Sequence, residues 1–136
     1  MPVSINGFQH LGVPVTNLVR SVVFYERLGF ENVMTSSFEM SGEKGSVSMM
    51  KRGNMIIELY QLPEKELAAI KNRNNGHIDH IAFDVDDIDT TFATMQNDSF
   101  NIIEERPIFL PFWDNGCKYF NIVGPDGERL EFNQIV

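Results

Sequence analysis

Apolar and polar positions alternate from Phe8 to Val15, with Leu11, Val13 and Val15 on one side and Phe8, His10 and Gly12 on the other. A period of two predicts a strand. Thr16 or Asn17 then supplies a helix cap, and Leu18, Val22, Tyr25 and Leu28 fall on one stripe at three- and four-residue steps before Gly29 ends it. The pattern continues as a strand over Phe30–Met34, a loop or weak edge over Ser36–Gly45, and a hairpin whose arms are Val47–Lys51 and Met55–Tyr60 around Arg52-Gly53-Asn54. Pro63–Lys71 is expected to form a short connecting helix.

From Ile78 the pattern restarts. Ile81, Phe83 and Val85 alternate with His80, Ala82 and Asp84, then Asp86 or Asp87 caps a helix carrying Ile88, Phe92 and Met95. His10 and His80 are 70 residues apart, and the same offset pairs Val15 with Val85, Leu18 with Ile88, Val22 with Phe92, Tyr25 with Met95 and Phe30 with Phe100. Core positions held in phase over such a length mark an internal repeat. The second copy is expected to continue through a strand at Asn101–Glu104, a loop from Pro107 to Asn115, a strand at Lys118–Val123, a turn at Gly124–Gly127 and a last strand at Glu128–Phe132. Each copy is therefore βαβββ, in an α+β fold. The modules span about 5–71 and 77–136, and residues 72–76 have the composition of a linker within a single domain, 1–136.

Composition narrows the function. A chain of 136 residues, 43% hydrophobic and with 11 Phe, has material for one domain or for two small modules sharing a core. Its net charge of −8 would repel a phosphate backbone, which excludes a nucleic-acid surface. No apolar run reaches membrane-spanning length, and Met1-Pro2-Val3-Ser4 lacks the basic and apolar parts of a signal peptide, so the expectation is a cytoplasmic protein with no membrane partner. Cys117 stands alone and fits a reducing compartment. No spacing provides it with a histidine base, and it is read as a plain strand residue.

The repeat also duplicates chemistry. Glu58 sits between Ile57 and Leu59 in the last strand of the first module, and Glu131 sits between Leu130 and Phe132, 73 residues later. A carboxylate in so apolar a strand is costly to bury unless something meets it. His10, Glu58, His80 and Glu131 offer two nitrogen and two oxygen ligands, a set suited to Zn²⁺, Ni²⁺, Co²⁺, Mn²⁺ or Fe²⁺. Taken singly, each His is a hydrogen-bonded core residue and each Glu a paired charge at a strand end. Duplication of the pair in register favours ligands. His77, three residues before His80, is read as a non-ligand near the linker.

Two βαβββ modules with these four residues on their strands, the helix segment from Arg20 to Phe30, and the closing segment Gly124-Pro125-Asp126-Gly127-Glu128-Arg129-Leu130-Glu131-Phe132 resemble the vicinal oxygen chelate superfamily. This is the glyoxalase/bleomycin resistance/dioxygenase fold. The resemblance implies a curved mixed sheet around a central metal site with helices on its outer face. The His-Glu-His-Glu set is most similar to bacterial glyoxalase I. It implies a metal-dependent lyase or isomerase that acts on a small molecule with vicinal oxygens through a metal-stabilised enediolate, using one divalent ion per site. Glu131 is the first choice for the base and Glu58 the second. An epimerase of a 2-keto or acyl-CoA compound, of the methylmalonyl-CoA epimerase type, is the alternative, and a non-catalytic drug-binding resistance protein is a third reading.

Two positions depart from the glyoxalase pattern. Where bacterial glyoxalase I has an Arg and an Asn for the glutathione carboxylates, this chain has Pro14 and Leu62. Arg20, Lys51, Arg52, Arg106 and Lys118 are the candidate substitutes, against a plain reading as solvated surface charges. The aromatic stretch Ile108–Trp113 is either a wall or lid over the metal or a buried plug or dimer contact. The resemblance also implies a homodimer, with each site formed within one chain or shared between subunits.

Overall fold

The computed structural model describes residues 2–27, 29–73, 79–123 and 129–136. Leu28, His77, the linker residues 74–76 and the turn at 124–127 lie outside the described residues. The chain divides into two compact units, one of residues 10–79 and one of residues 2–9 with 80–136.

In the unit of residues 10–79, strand β1 (Gly7–Pro14), whose first three residues count with the other unit, leads into helix α1 (Leu18–Arg27), then β2 (Glu31–Met40), β3 (Glu43–Arg52), β4 (Met55–Gln61) and helix α2 (Glu64–Lys71). The sheet order is β2-β3-β4-β1, with β1 parallel to β4 and the other pairs antiparallel. A parallel pair needs a crossover, and α1 begins it. Asn17 caps this helix, its Oδ1 accepting from the Arg20 N–H at 3.0 Å. At the other end Phe30 N–H reaches the Tyr25 carbonyl and Gly29 N–H that of Glu26, a closure completed by Gly29 at φ +89°. Leu18, Val22 and Tyr25 pack with Val13, Val15, Met50, Ile57 and Leu59, so the aliphatic side of β1 faces α1 as its alternation requires. Leu67 and Ile70 bury one side of α2.

Of the loop or weak edge expected over Ser36–Gly45, the structure has the edge strand. β2 and β3 pair continuously from Thr35↔Ser48 to Met40↔Glu43 and turn at Ser41 (φ 52°) and Gly42 (φ 78°). Positive φ at both turn residues matches the twist of a two-residue hairpin. The strand is hard to see in sequence because small polar residues occupy both faces of an edge. Gly45 has its own role here: a Cβ there would stand 2.4 Å from the Phe38 ring.

The other unit contains β5 (His80–Asp84), α3 (Ile88–Asn97), β6 (Ile108–Leu110), β7 (Cys117–Val123) and β8 (Arg129–Ile135). Its order is β5-β8-β7-β6, again with one parallel pair, β5 and β8. Asp87 caps α3 by accepting from Thr90 N–H at 3.0 Å. Thr90's bonds hold the Asp87 carboxyl below its ordinary range. Phe120 stacks on Phe132 and meets the edge of Phe92 in a core that includes Val85, Ile88, Met95 and Ile122. Residues 2–9 complete this unit. Val3 packs on the core, Asn6 N–H donates to the Asp84 carbonyl at 2.9 Å, and Gln9 Nε2 donates to Asp84 Oδ1 and to the Asn133 carbonyl, both at 3.0 Å.

Two expectations fail in this unit. Asn101–Glu104 forms only a single bridge, Ile102↔Ile122. Its ladder stops because the Glu104 carboxylate takes the Asn121 backbone N–H at 2.6 Å and Asn121 Nδ2 at 3.0 Å. The third strand of the module is β6, within the segment expected to be loop. Among the described residues no helix is long and apolar enough to cross a membrane.

The units share one further device. Leu18 N–H, opening α1, donates to Gln61 Oε1 at 2.8 Å, and Ile88 N–H, opening α3, donates to Gln134 Oε1 at 3.0 Å. In each unit the glutamine lies three residues after the candidate glutamate, on the opposite strand face. One strand therefore presents its carboxylate on one side and anchors the helix on the other.

Candidate functional site

The four candidate ligands form two His/Glu pairs, one in each unit. His10 Nε2 stands 3.8 Å from Glu58 Oε2, and His80 Nε2 stands 3.7 Å from Glu131 Oε1. The register is the same in both. Glu58 lies beside Gly12 on the neighbouring parallel strand, with His10 two residues earlier, and Glu131 lies beside Ala82, with His80 two residues earlier. Residues two apart share a strand face, so each imidazole reaches the carboxylate past a small residue. Both histidines are buried, and so is Glu131.

The donor set fits a metal. Separations of 3.7 and 3.8 Å are too long for hydrogen bonds. They match two ligands that each lie about 2.0–2.2 Å from one ion, with neutral imidazole nitrogen and carboxylate oxygen both suited to a borderline divalent cation.

Glu131 has a further neighbourhood. Its Oε2 accepts from Asn133 Nδ2 at 3.0 Å, while Oε1 is the oxygen turned towards His80. Asn121 lies directly across from it on β7, hence on the same face. Burial pushes the Glu131 carboxyl above its ordinary range; His80 and the Asn133 hydrogen bond pull it back, Glu104 raises it again and Arg129 lowers it. A carboxylate in this setting is more basic than one in water.

Asn133, Asn121 and Glu104 are absent from the candidate set drawn from sequence. A polar residue two places beyond Glu131 in a buried strand, and an Asn inside the apolar run of β7, were the available signals. Among the candidate cations, Lys51 shares the sheet face of Glu58, two residues from Met49, which lies directly opposite that glutamate. Lys118 pairs with exposed Asp89 at 3.3 Å on the helix side of β7, and Arg20 Nη2 donates to Thr16 Oγ1 at 3.2 Å. Lys51, Arg52 and Arg106 are exposed. Pro14 shares the face of His10 and Gly12 and is in register with Tyr60. In the aromatic segment Phe112 is buried, as a plug would be, whereas Ile108 and Phe109 are exposed. Cys117 is buried at the start of β7.

The family model described as "Glyoxalase/Bleomycin resistance protein/Dioxygenase superfamily" matches residues 7–132. The uncharacterized protein YwbC of Bacillus subtilis (strain 168) is 32% identical over 135 residues, which cover 92% of this chain and 94% of YwbC. Among solved structures, methylmalonyl-CoA epimerase in complex with methylmalonyl-CoA and NH4+ superposes with a TM-score of 0.77 at 22% identity, covering 96% of this chain and 95% of that one. The methylmalonyl-CoA epimerase of Mycobacterium tuberculosis has the same TM-score, 0.77, at 16% identity, covering 100% of this chain and 92% of the other. At these identities the structures establish a shared fold.

Proposed function

Because the chain belongs to the Glyoxalase/Bleomycin resistance protein/Dioxygenase superfamily, we propose that His10, Glu58, His80 and Glu131 together hold one divalent ion in a metal-dependent isomerase or lyase. The observation that carries this reading is the His/Glu pair built twice in the same register. Its substrate is a small molecule that offers the ion two oxygens beside a C–H, from which a proton leaves carbon and to which it returns.

A bound ion supplies Lewis-acid charge to the substrate oxygens, which acidifies the adjacent C–H. The protein supplies the rest. Glu131 takes the proton on its carboxylate, which Asn133 holds through Oε2. Glu58 is the second carboxylate able to act as base. The burial of His10, His80 and Glu131 keeps water from competing for the proton.

Epimerisation of a 2-keto or acyl-CoA compound comes first among the reactions. The fold likeness to methylmalonyl-CoA epimerases supports it, and Pro14 and Leu62 have no side-chain group to bind glutathione carboxylates. The lactoylglutathione lyase reading is favoured by the His-Glu-His-Glu set. The proposal extends to a cytoplasmic homodimer, for which exposed Val19, Val23 and Phe24 on α1 offer apolar surface.

The test is to load purified protein with Ni²⁺, Co²⁺, Zn²⁺ or Mn²⁺, measure bound metal, and follow deuterium uptake from D₂O at the α-carbon of methylmalonyl-CoA. A parallel assay uses the methylglyoxal–glutathione hemithioacetal. Metal-dependent exchange with the first supports the epimerase, and turnover of the second alone supports the lyase. A protein that binds no divalent ion refutes both and leaves a drug-binding function.

A further inference from the structure

We infer that Asn133 is a positioning residue for the metal ligand Glu131, and that it is kept at a cost to the fold. The inference rests on the proposed metal site. The carboxamide is 5% exposed, and its orientation follows from chemistry: Nδ2 lies 3.0 Å from Glu131 Oε2, and an ionised carboxylate can only accept. That bond occupies the oxygen away from His80 and turns Oε1 towards the imidazole.

Asn133 is itself fixed. Its carbonyl oxygen accepts from Gln9 Nε2 at 3.0 Å and from Val85 N–H at 3.1 Å, and its backbone lies in register with both Asp84 on β5 and Tyr119 on β7. The side chain therefore projects from a strand held on both sides. This is the arrangement that orients a ligating carboxylate through an outer partner.

The opposite end of the carboxamide shows what this arrangement costs. Among the described residues, Asn133 Oδ1 is buried without a hydrogen-bond partner. Its Nδ2 also faces Cys117 Sγ, but at 3.9 Å, a weak contact. An unsatisfied buried acceptor lowers stability, and a leucine would remove this one, though it would also remove the donor to Glu131 Oε2. A residue chosen for packing alone would not be an asparagine. One chosen to donate to Glu131 would accept the orphaned oxygen. Tyr60 occupies the corresponding place after Glu58, so the device belongs to one pair and not to the repeat.

Positioning and packing therefore predict opposite outcomes for Asn133→Leu. Ni²⁺ and Zn²⁺ affinity, measured by competition with a chromogenic chelator, is expected to fall about 10- to 100-fold. The melting temperature of the chelated variant is expected to hold, because removal of the orphaned Oδ1 offsets loss of the bond to Glu131 Oε2. Asn133→Ala, which removes the donor without adding a charge, serves as the second variant and is expected to lose as much affinity. If either folded variant keeps wild-type affinity within twofold, the inference is overturned. Melting of the chelated Leu variant well below wild type assigns Asn133 a packing role and also overturns it. Wild-type protein that binds neither ion removes the metal site itself, and with it both readings.

Discussion

The residue beside each glutamate on the neighbouring parallel strand is one of the two smallest, Gly12 next to Glu58 and Ala82 next to Glu131. Neighbouring strands are only about 4.8 Å apart, so a larger side chain there would fill the space through which His80 reaches Glu131. Ala82 is 0% exposed, and Ala82→Leu adds three carbons to a place with no outlet. Overpacking of this kind costs about 1–3 kcal/mol. That lowers the folding constant roughly 5- to 160-fold, which a domain stable by about 5–15 kcal/mol survives. The added carbons point to the face of the His/Glu pair, so relief comes by displacing the Glu131 carboxylate, and ion affinity falls together with stability. Ala82→Gly is the control. It costs about 0.5–1 kcal/mol through strand flexibility, yet it reproduces the arrangement of Gly12 and should leave affinity intact. Urea unfolding of the chelated proteins and chelator competition for Ni²⁺ measure the two effects. If the Leu variant unfolds within about 0.5 kcal/mol of wild type and binds the ion as well, the small residue does not make room for the pair.

Two other perturbations follow from the same geometry. Phe120 is fully buried between the Phe132 and Phe92 rings, so Phe120→Ala should cost about 3–5 kcal/mol in urea unfolding; a loss under about 1 kcal/mol would mean that these rings do not carry the core of this unit. Glu131 titrates above its ordinary range through burial, so in the chelated protein its contribution is complete below the ordinary glutamate value, where both states are protonated, and is lost as pH rises through the raised folded value. Glu131→Gln should flatten that decline in pH-dependent unfolding, and it should lower turnover of the metal-loaded protein by about 10²–10⁴-fold. A variant with wild-type turnover would move the base to Glu58.

How much of this was legible depends on the range of each interaction. The period-two alternation that put His10 opposite Val13 and Val15, and Glu58 opposite Ile57 and Leu59, is a property of a few consecutive residues, and Val13, Val15 and Ile57 lie against α1 as expected. The helices α1 and α3 were readable for the same reason, since their caps Asn17 and Asp87 and their apolar stripes are local. The edge strand over Ser36–Met40 was readable only as a loop or weak edge, because its stability comes from pairing with β3 and from Phe38 lying over Gly45, neither of which leaves a periodic trace in small polar residues. Asn101–Glu104 misled in the other direction. It has the composition of a strand, but Glu104 turns its carboxylate onto Asn121 and occupies a donor that a longer ladder would need.

The candidate site divides along the same line. Repetition singled out His10, Glu58, His80 and Glu131 as candidates because a duplicated sequence preserves residue types and their strand faces. It could not identify Asn133, which has no counterpart in the first module, where Tyr60 stands. Nor could it find Asn121 and Glu104, which come together only when the chain after α3 folds back on β7. The unrepeated residues are therefore the ones that make the two pairs unequal. Glu131 is held by a neighbouring amide that its sequence equivalent cannot copy, and any difference in role between the two carboxylates has to be sought there.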